Sequence, residues 1–232
     1  MPGPRPSPVT VLGADGCPGC WVVAEVGAGA GARGVRWHRA SDMAGLLELA
    51  AGRGAQALAA DVPIGLPEAG TRACDVQARA RLRGGGASSV FAAPARAALS
   101  FARYADARPH LPSLSAQAFA LVARVRDVDD ALRAAGPHVH RWVVECHPEV
   151  ALRALTGQVL PRKRSAPGAL LRLRALEQAF GPVPADAPAG AGLDDALDAL
   201  AAAWTARRWL AGSAEVLGGE PDATGVPMRI VV

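Results

Sequence analysis

Three apolar runs in this chain each end in a carboxylate: "VTVLGAD" closes on Asp15, "AQALAAD" on Asp61 and "RWVVE" on Glu145. Runs this short and this rich in Val, Leu and Ala read as buried strands, and an acid at a buried strand end needs a reason to be there. The ordinary reason is a turn cap, because Asp readily bonds its own backbone. Asp15 and Asp61, however, are both followed by turns punctuated with Gly and Pro, "GCPG" and "VPIG", and this recurrence argues for a shared role. For Glu145 the alternative is Glu149, one helical turn into the next element.

The remaining pattern places these runs in a sheet. "WVVAEV" and "GVRWHRA" follow the first run as two more strands, the latter alternating Val35 and Trp37 with Arg36 and His38, which implies an antiparallel meander. "SDMAGLLELAAGRG" is a helix with Ser41 as its N-cap, followed by a fourth strand over Gln56 to Asp61. Residues from about 68 to 137 are helical, rich in Ala and Arg, and form a segment of the size of an insertion. A fifth strand, Arg141 to Glu145, leads to a helix with Pro148 in its first turn. "GALLRLRALEQAF" is a further helix, and "LDDALDALAAAWTARRWL" is the last, with Leu193, Leu197, Leu200 and Trp204 on one stripe and Asp194, Asp195 and Asp198 away from it. The expected architecture is α/β: a mixed five-stranded sheet of three meander strands plus parallel strands, flanked by helices. The segment 1–8 is expected to be disordered, and residues 9–232 to form a single domain.

In such a sheet the first, fourth and fifth strands run parallel as neighbours, and their carboxyl ends share the edge where open sheets place ligands. Several carboxylates converging there repel one another unless cations lie between them. An all-oxygen donor set suits Mg²⁺ or Mn²⁺, and the arrangement is that of two-metal phosphodiester chemistry. Asp15 and Asp61 are the expected bridging or separating ligands, Asp195 and Asp198 the residues that complete the ion shells, and Glu145 a fourth catalytic candidate. Lys163, the single lysine among 25 basic residues, stands between Arg162 and Arg164 and is placed to orient a scissile phosphate.

Taken in order, "GADGCPGCWV", "DVPIGLP", "RACDVQARARL" with "SSVFAAPAR", "VVECHPEVALRAL" and "DDALDALAAAWTARR" resemble domain-of-unknown-function family 429, a prokaryotic group expected to be nucleases of RNase H-like fold. The resemblance extends to the tail "EPDATGVPMRIVV". It implies an RNase H-like sheet and a hydrolase acting on nucleic acid or a smaller phosphodiester. The element Asp195 to Leu200 is similar to the last helix of Holliday-junction resolvases of the same fold, which implies metal-ligand roles for Asp195 and Asp198. Asp15 matches the first-strand aspartate of that superfamily, and Asp61 its fourth-strand acid. Cys20 departs from the pattern, which favours glycine there.

Other features weigh less. Cys17, Cys20, Cys74 and Cys146 are expected as free thiols in a reducing compartment, and a zinc site built from them with His147 lacks a second paired motif. No apolar stretch is long enough to span a bilayer and the N-terminus lacks a signal segment, so a cytoplasmic location without membrane contact is expected. The net charge of +4 permits a polyanionic partner without requiring one. Aromatic residues are only 4% of the chain, which favours recognition through backbone and shape over base stacking. Arg72 and Asp75 are spaced as a helix ion pair. Two rivals change the role: a phosphate- or nucleotide-binding protein of the same fold, and a non-catalytic binding module whose acids are structural or hold a single ion.

Overall fold

The computed structural model describes residues 9–28 and 34–232, so the segment 1–8 lies outside the described residues. Strands β1 (Thr10–Cys17), β2 (Cys20–Gly27) and β3 (Val35–Ala40) form the meander. Helix α1 (Met43–Gly52) leads to β4 (Ala55–Ala60), which pairs parallel with β1, and β5 (Val143–Glu145) pairs parallel with β4. The sheet order β3-β2-β1-β4-β5 is the RNase H-like arrangement expected from the sequence. Asp42 rather than Ser41 caps α1, accepting from the Gly45 amide at 2.8 Å, while the Ser41 hydroxyl donates to the Asp42 carboxylate.

Between β4 and β5 lie α2 (Ala73–Arg81), α3 (Tyr104–Ala107), α4 (Ala116–Ala120) and α5 (Val122–Ala135), joined by short 3₁₀ turns. After β5 come α6 (Pro148–Thr156), α7 (Ala166–Phe180) and α8 (Leu193–Leu210). The sheet is covered on both faces. Val11, Ala57, Ala59 and Val144 pack against α6, α7 and α8, whereas Leu12, Ala14, Leu58 and Val143 pack against α1 and α5.

Helix α8 departs from the expected stripe. Leu193 is 59% exposed, while every residue from Ala196 to Ala206 is buried, Asp198 included. Alanine explains this: with Ala at 196, 199, 201, 202, 203 and 206, the helix has few bulky faces and beds directly onto the sheet. At the point of closest approach the strand offers Gly13, where a Cβ would lie 1.9 Å from the Ala203 nitrogen and 2.2 Å from the Ala199 oxygen. Because those atoms belong to helix backbone, they cannot swing aside. Gly13→Ala should therefore destabilise the protein by about 3 kcal/mol and lower its melting temperature by about 6–12 °C. An unchanged melting curve would show that α8 does not rest on β1 at this point.

The C-terminal hairpin, β6 (Val216–Pro221) and β7 (Pro227–Val231), was not anticipated. Val231 bridges Cys146 just past β5. In the hairpin turn the buried Asp222 carboxylate accepts from the amides of Leu66, Thr224 and Val226 and from Arg96 at 2.6 Å, fastening the hairpin to the segment after β4.

Candidate active site

Strand alternation decides which acids meet. In register across the parallel strands, Ala14, Ala60 and Glu145 stand side by side, and the next step along each strand direction brings Asp15, Asp61 and Cys146. Successive residues face opposite sides of a sheet. Asp15, Asp61 and Cys146 therefore belong to the face that α8 covers, two residues beyond Gly13, Ala59 and Val144, and α8 presents Asp198 to the same place. Glu145 belongs to the opposite face. The structure thus brings together Asp15, Asp61 and Asp198, while Glu145, one residue out of register, lines the same cleft as Asp61 and Asp198 and adds its charge to that acting on Asp61.

Glu145 has its own partners there. Arg72 donates to both of its carboxylate oxygens at 2.7 Å, and the Ile64 amide donates at 2.7 Å. The same guanidinium binds Asp75 at 2.6 Å, making the expected helix ion pair a fully buried three-residue cluster. The other acids are likewise committed. Asp195 accepts from the Gly192 amide at 2.9 Å and caps its own helix, Asp194 pairs with Arg164 at 3.5 Å, and Glu149 is held by both contacts from Arg172.

Burial is the main reason that the Asp15 carboxyl is pushed up to about 9, with the charges of Asp61 and Asp198 adding to it. Asp61 rises to about 8, again through burial first and then the charge of Asp198. Asp198 is raised by burial too, and the Lys163 ammonium, 2.5 Å from its Oδ2, eases all three. Burial and the surrounding negative charge keep Cys146 a thiol.

A divalent cation suits these residues by donor chemistry: all are carboxylates, and Asp198 Oδ1 is buried without a hydrogen-bond partner. Among the described residues no three His, Cys, Asp or Glu side chains are drawn into a closed ligand set, so an ion would enter by displacing protons from Asp15 and Asp61 and the ammonium from Asp198.

The sign of the pH dependence follows. In the metal-free protein Asp15 and Asp61 hold protons that the unfolded chain releases above about pH 4. Their contribution to stability is full below that point and is lost as the pH rises toward 8 and 9. The metal-free melting temperature should fall across that window, and Asp15→Asn should flatten the fall. Affinity for Mn²⁺ should rise over the same range, because binding requires the carboxylates to ionise. A melting temperature that climbs between pH 5 and pH 8 in chelator would contradict this placement.

Asp61, Asp198 and Glu145 open into a cleft of about 580 Å³, lined also by Lys163, His147, Ser89 and Phe91. The sequence offers His147 only as a zinc-ligand candidate without a second paired motif. Its Nε2 lies 3.3 Å from the Ser89 carbonyl oxygen, and burial lowers its pKa and keeps the ring neutral. Arg124, on α5, was not singled out in the sequence. It lies over Gly16 against the Trp21 ring and donates to the Cys17 carbonyl at 2.8 Å, and its charge acts on Asp61.

Cys17 and Cys20 correct an expectation: they are joined in a disulfide across the β1–β2 turn, where Gly19 supplies the positive φ. Neither thiol is therefore available as a metal ligand. Cys74 and Cys146 are free and buried, as expected. No helix among the described residues is long and apolar enough to cross a membrane.

No curated protein matches the chain. A solved structure of Thermus thermophilus RuvC is similar over 88% of this chain and 98% of its own, at 17% identity and a TM-score of 0.41. The family described as Protein of unknown function (DUF429) matches residues 13–223, a span that runs from the glycine beneath α8 to just past Asp222. The chain belongs to the DUF429 family.

Proposed function

We propose that the protein is a metal-dependent nuclease that hydrolyses phosphodiester bonds with Mg²⁺ or Mn²⁺. The observation that carries this reading is the meeting of Asp15, Asp61 and Asp198 from β1, β4 and α8 at one sheet edge, where each raises another's affinity for positive charge. Divalent ions bound there supply an acidified water and stabilise the departing oxygen. Asp15 and Asp61 would hold them from the sheet, and Asp198 would hold them from the helix. Freed from Asp198, the Lys163 ammonium meets the phosphate at the mouth of the cleft and offsets its charge. Asp195, by capping α8, positions Asp198 rather than serving as a ligand itself.

The test is incubation with labelled DNA and RNA, single-stranded, duplex and branched, in Mg²⁺ and Mn²⁺. Cleavage that vanishes in chelator supports the reading, and its absence on every substrate overturns it. A second reading, a non-catalytic phosphate- or nucleotide-binding module, draws on Lys163, which already neutralises Asp198 without any ion. Calorimetric titration with Mn²⁺ separates the two: two sites favour the nuclease, and none favours the module.

A further inference from the structure

The cleft that reaches the carboxylates, about 580 Å³, has the size of a small-ligand site. Its lining is mixed. Asp61, Glu145, Asp198, Lys163 and several arginines contribute charge, whereas Phe91, Leu121 and Leu160 are the apolar side chains of its wall. Phe91 is 44% exposed, one of the few large apolar side chains left to solvent. A bare phosphate would satisfy the charged lining and leave the wall unused. A ligand that joins a phosphodiester to a flat, weakly polar ring uses both.

The depth of the acids narrows the choice further. Asp198, which lines the cleft, is only 3% exposed, so a phosphate must enter the recess to approach it. A duplex keeps its bases stacked inside and has no base to lay on the wall unless a nucleotide is extruded. An unpaired nucleotide delivers phosphate and base together. Sparse aromatic content does not prevent this, because one ring at the right position is enough.

Building on the nuclease reading, we infer that the substrate enters this cleft as an unpaired nucleotide, with its base against Phe91 and its scissile phosphate toward Asp61, Asp198 and Lys163. The substrate class is single-stranded nucleic acid or a dinucleotide-sized phosphodiester, and not intact duplex.

The experiment compares the full chain in Mn²⁺ on the dinucleotide pTpT, on the same backbone with both bases removed, on a single strand, and on that strand in a blunt duplex. Turnover of pTpT and the single strand should exceed that of the duplex by at least about tenfold. Phe91→Ala should raise KM for pTpT by about tenfold, leave kcat and the abasic substrate unchanged, and be rescued by Phe91→Tyr. Equal cleavage of duplex and single strand, or a Phe91→Ala effect shared by the abasic backbone, overturns the inference and leaves the nuclease reading standing. If nothing is hydrolysed, equilibrium binding of pTpT decides. Binding that depends on Phe91 sustains the inference while removing the nuclease reading, and no binding overturns both.

Discussion

Asp61→Asn should reduce Mn²⁺-dependent hydrolysis by at least about a hundredfold, equivalent to about 3 kcal/mol of transition-state stabilisation. The substitution keeps the shape of the side chain and removes a charge from a set whose members repel one another. Relief of that repulsion has a second consequence. At pH 8 in chelator the variant should melt at the parent's temperature or above it, whereas added Mn²⁺, expected to stabilise the parent by binding only the folded state, should no longer raise the melting point. Asp198→Asn makes a useful companion, because it also releases Lys163 from its 2.5 Å contact. If Asp61 were instead a turn cap, Asp61→Asn would lower the metal-free melting temperature and leave the Mn²⁺ response intact, and that outcome would remove it from the site.

Arg72→Ala should be among the most damaging single changes for stability. Its guanidinium is 2% exposed and holds Asp75, Glu145 and the carbonyl oxygens of Ile64 and Gly65. Removing it strands two buried carboxylates, 1% and 5% exposed, against their remaining amide donors. Breaking one side of a buried ion cluster costs about 3–5 kcal/mol, or about 10 °C in a domain of this size. Neutralising the stranded acids, as in Arg72→Met with Glu145→Gln and Asp75→Asn, should recover much of the loss. Thermal melts of these variants check the ranking. Glu145→Gln alone should lower the melting temperature yet preserve the shift produced by Mn²⁺; loss of the shift would return Glu145 to the metal site.

The contrast between Asp61 and Glu145 marks how far the sequence could be read. Apolar runs with terminal acids located β1, β4 and β5 and put all three acids at the same sheet edge. They did not say which face each acid takes, because that depends on register between strands far apart in sequence. Shifting the acid by one residue, from the position of Cys146 to that of Glu145, turns it toward Arg72 and the Ile64 amide while it still lines the same cleft. The position of Asp198 was hidden by the opposite problem: a stripe of Leu and Trp suggested one buried side, but Ala is small enough to be buried on any side, and it fills the rest of α8. The final hairpin was obscured by its glycines and prolines, which mark β6 and β7 weakly as strands. Partners such as Arg124 on Cys17 and Arg72 on Glu145 come from elements brought together only by tertiary packing, and no local pattern announces them.

The seating of α8 on Gly13 also sets an order of events during folding. The strand that carries Asp15 and the helix that carries Asp198 come from near opposite ends of the sequence, and the other four strands of the central sheet lie between them. Bringing such distant segments together is entropically costly until the intervening elements are in place, so contacts of this kind form late. Until α8 docks, the acids remain dispersed and ionised in water and do not compete for protons or cations. A partly folded or newly emerging chain therefore lacks this cluster of carboxylates, and the cluster assembles only once β1 and α8 have closed on each other.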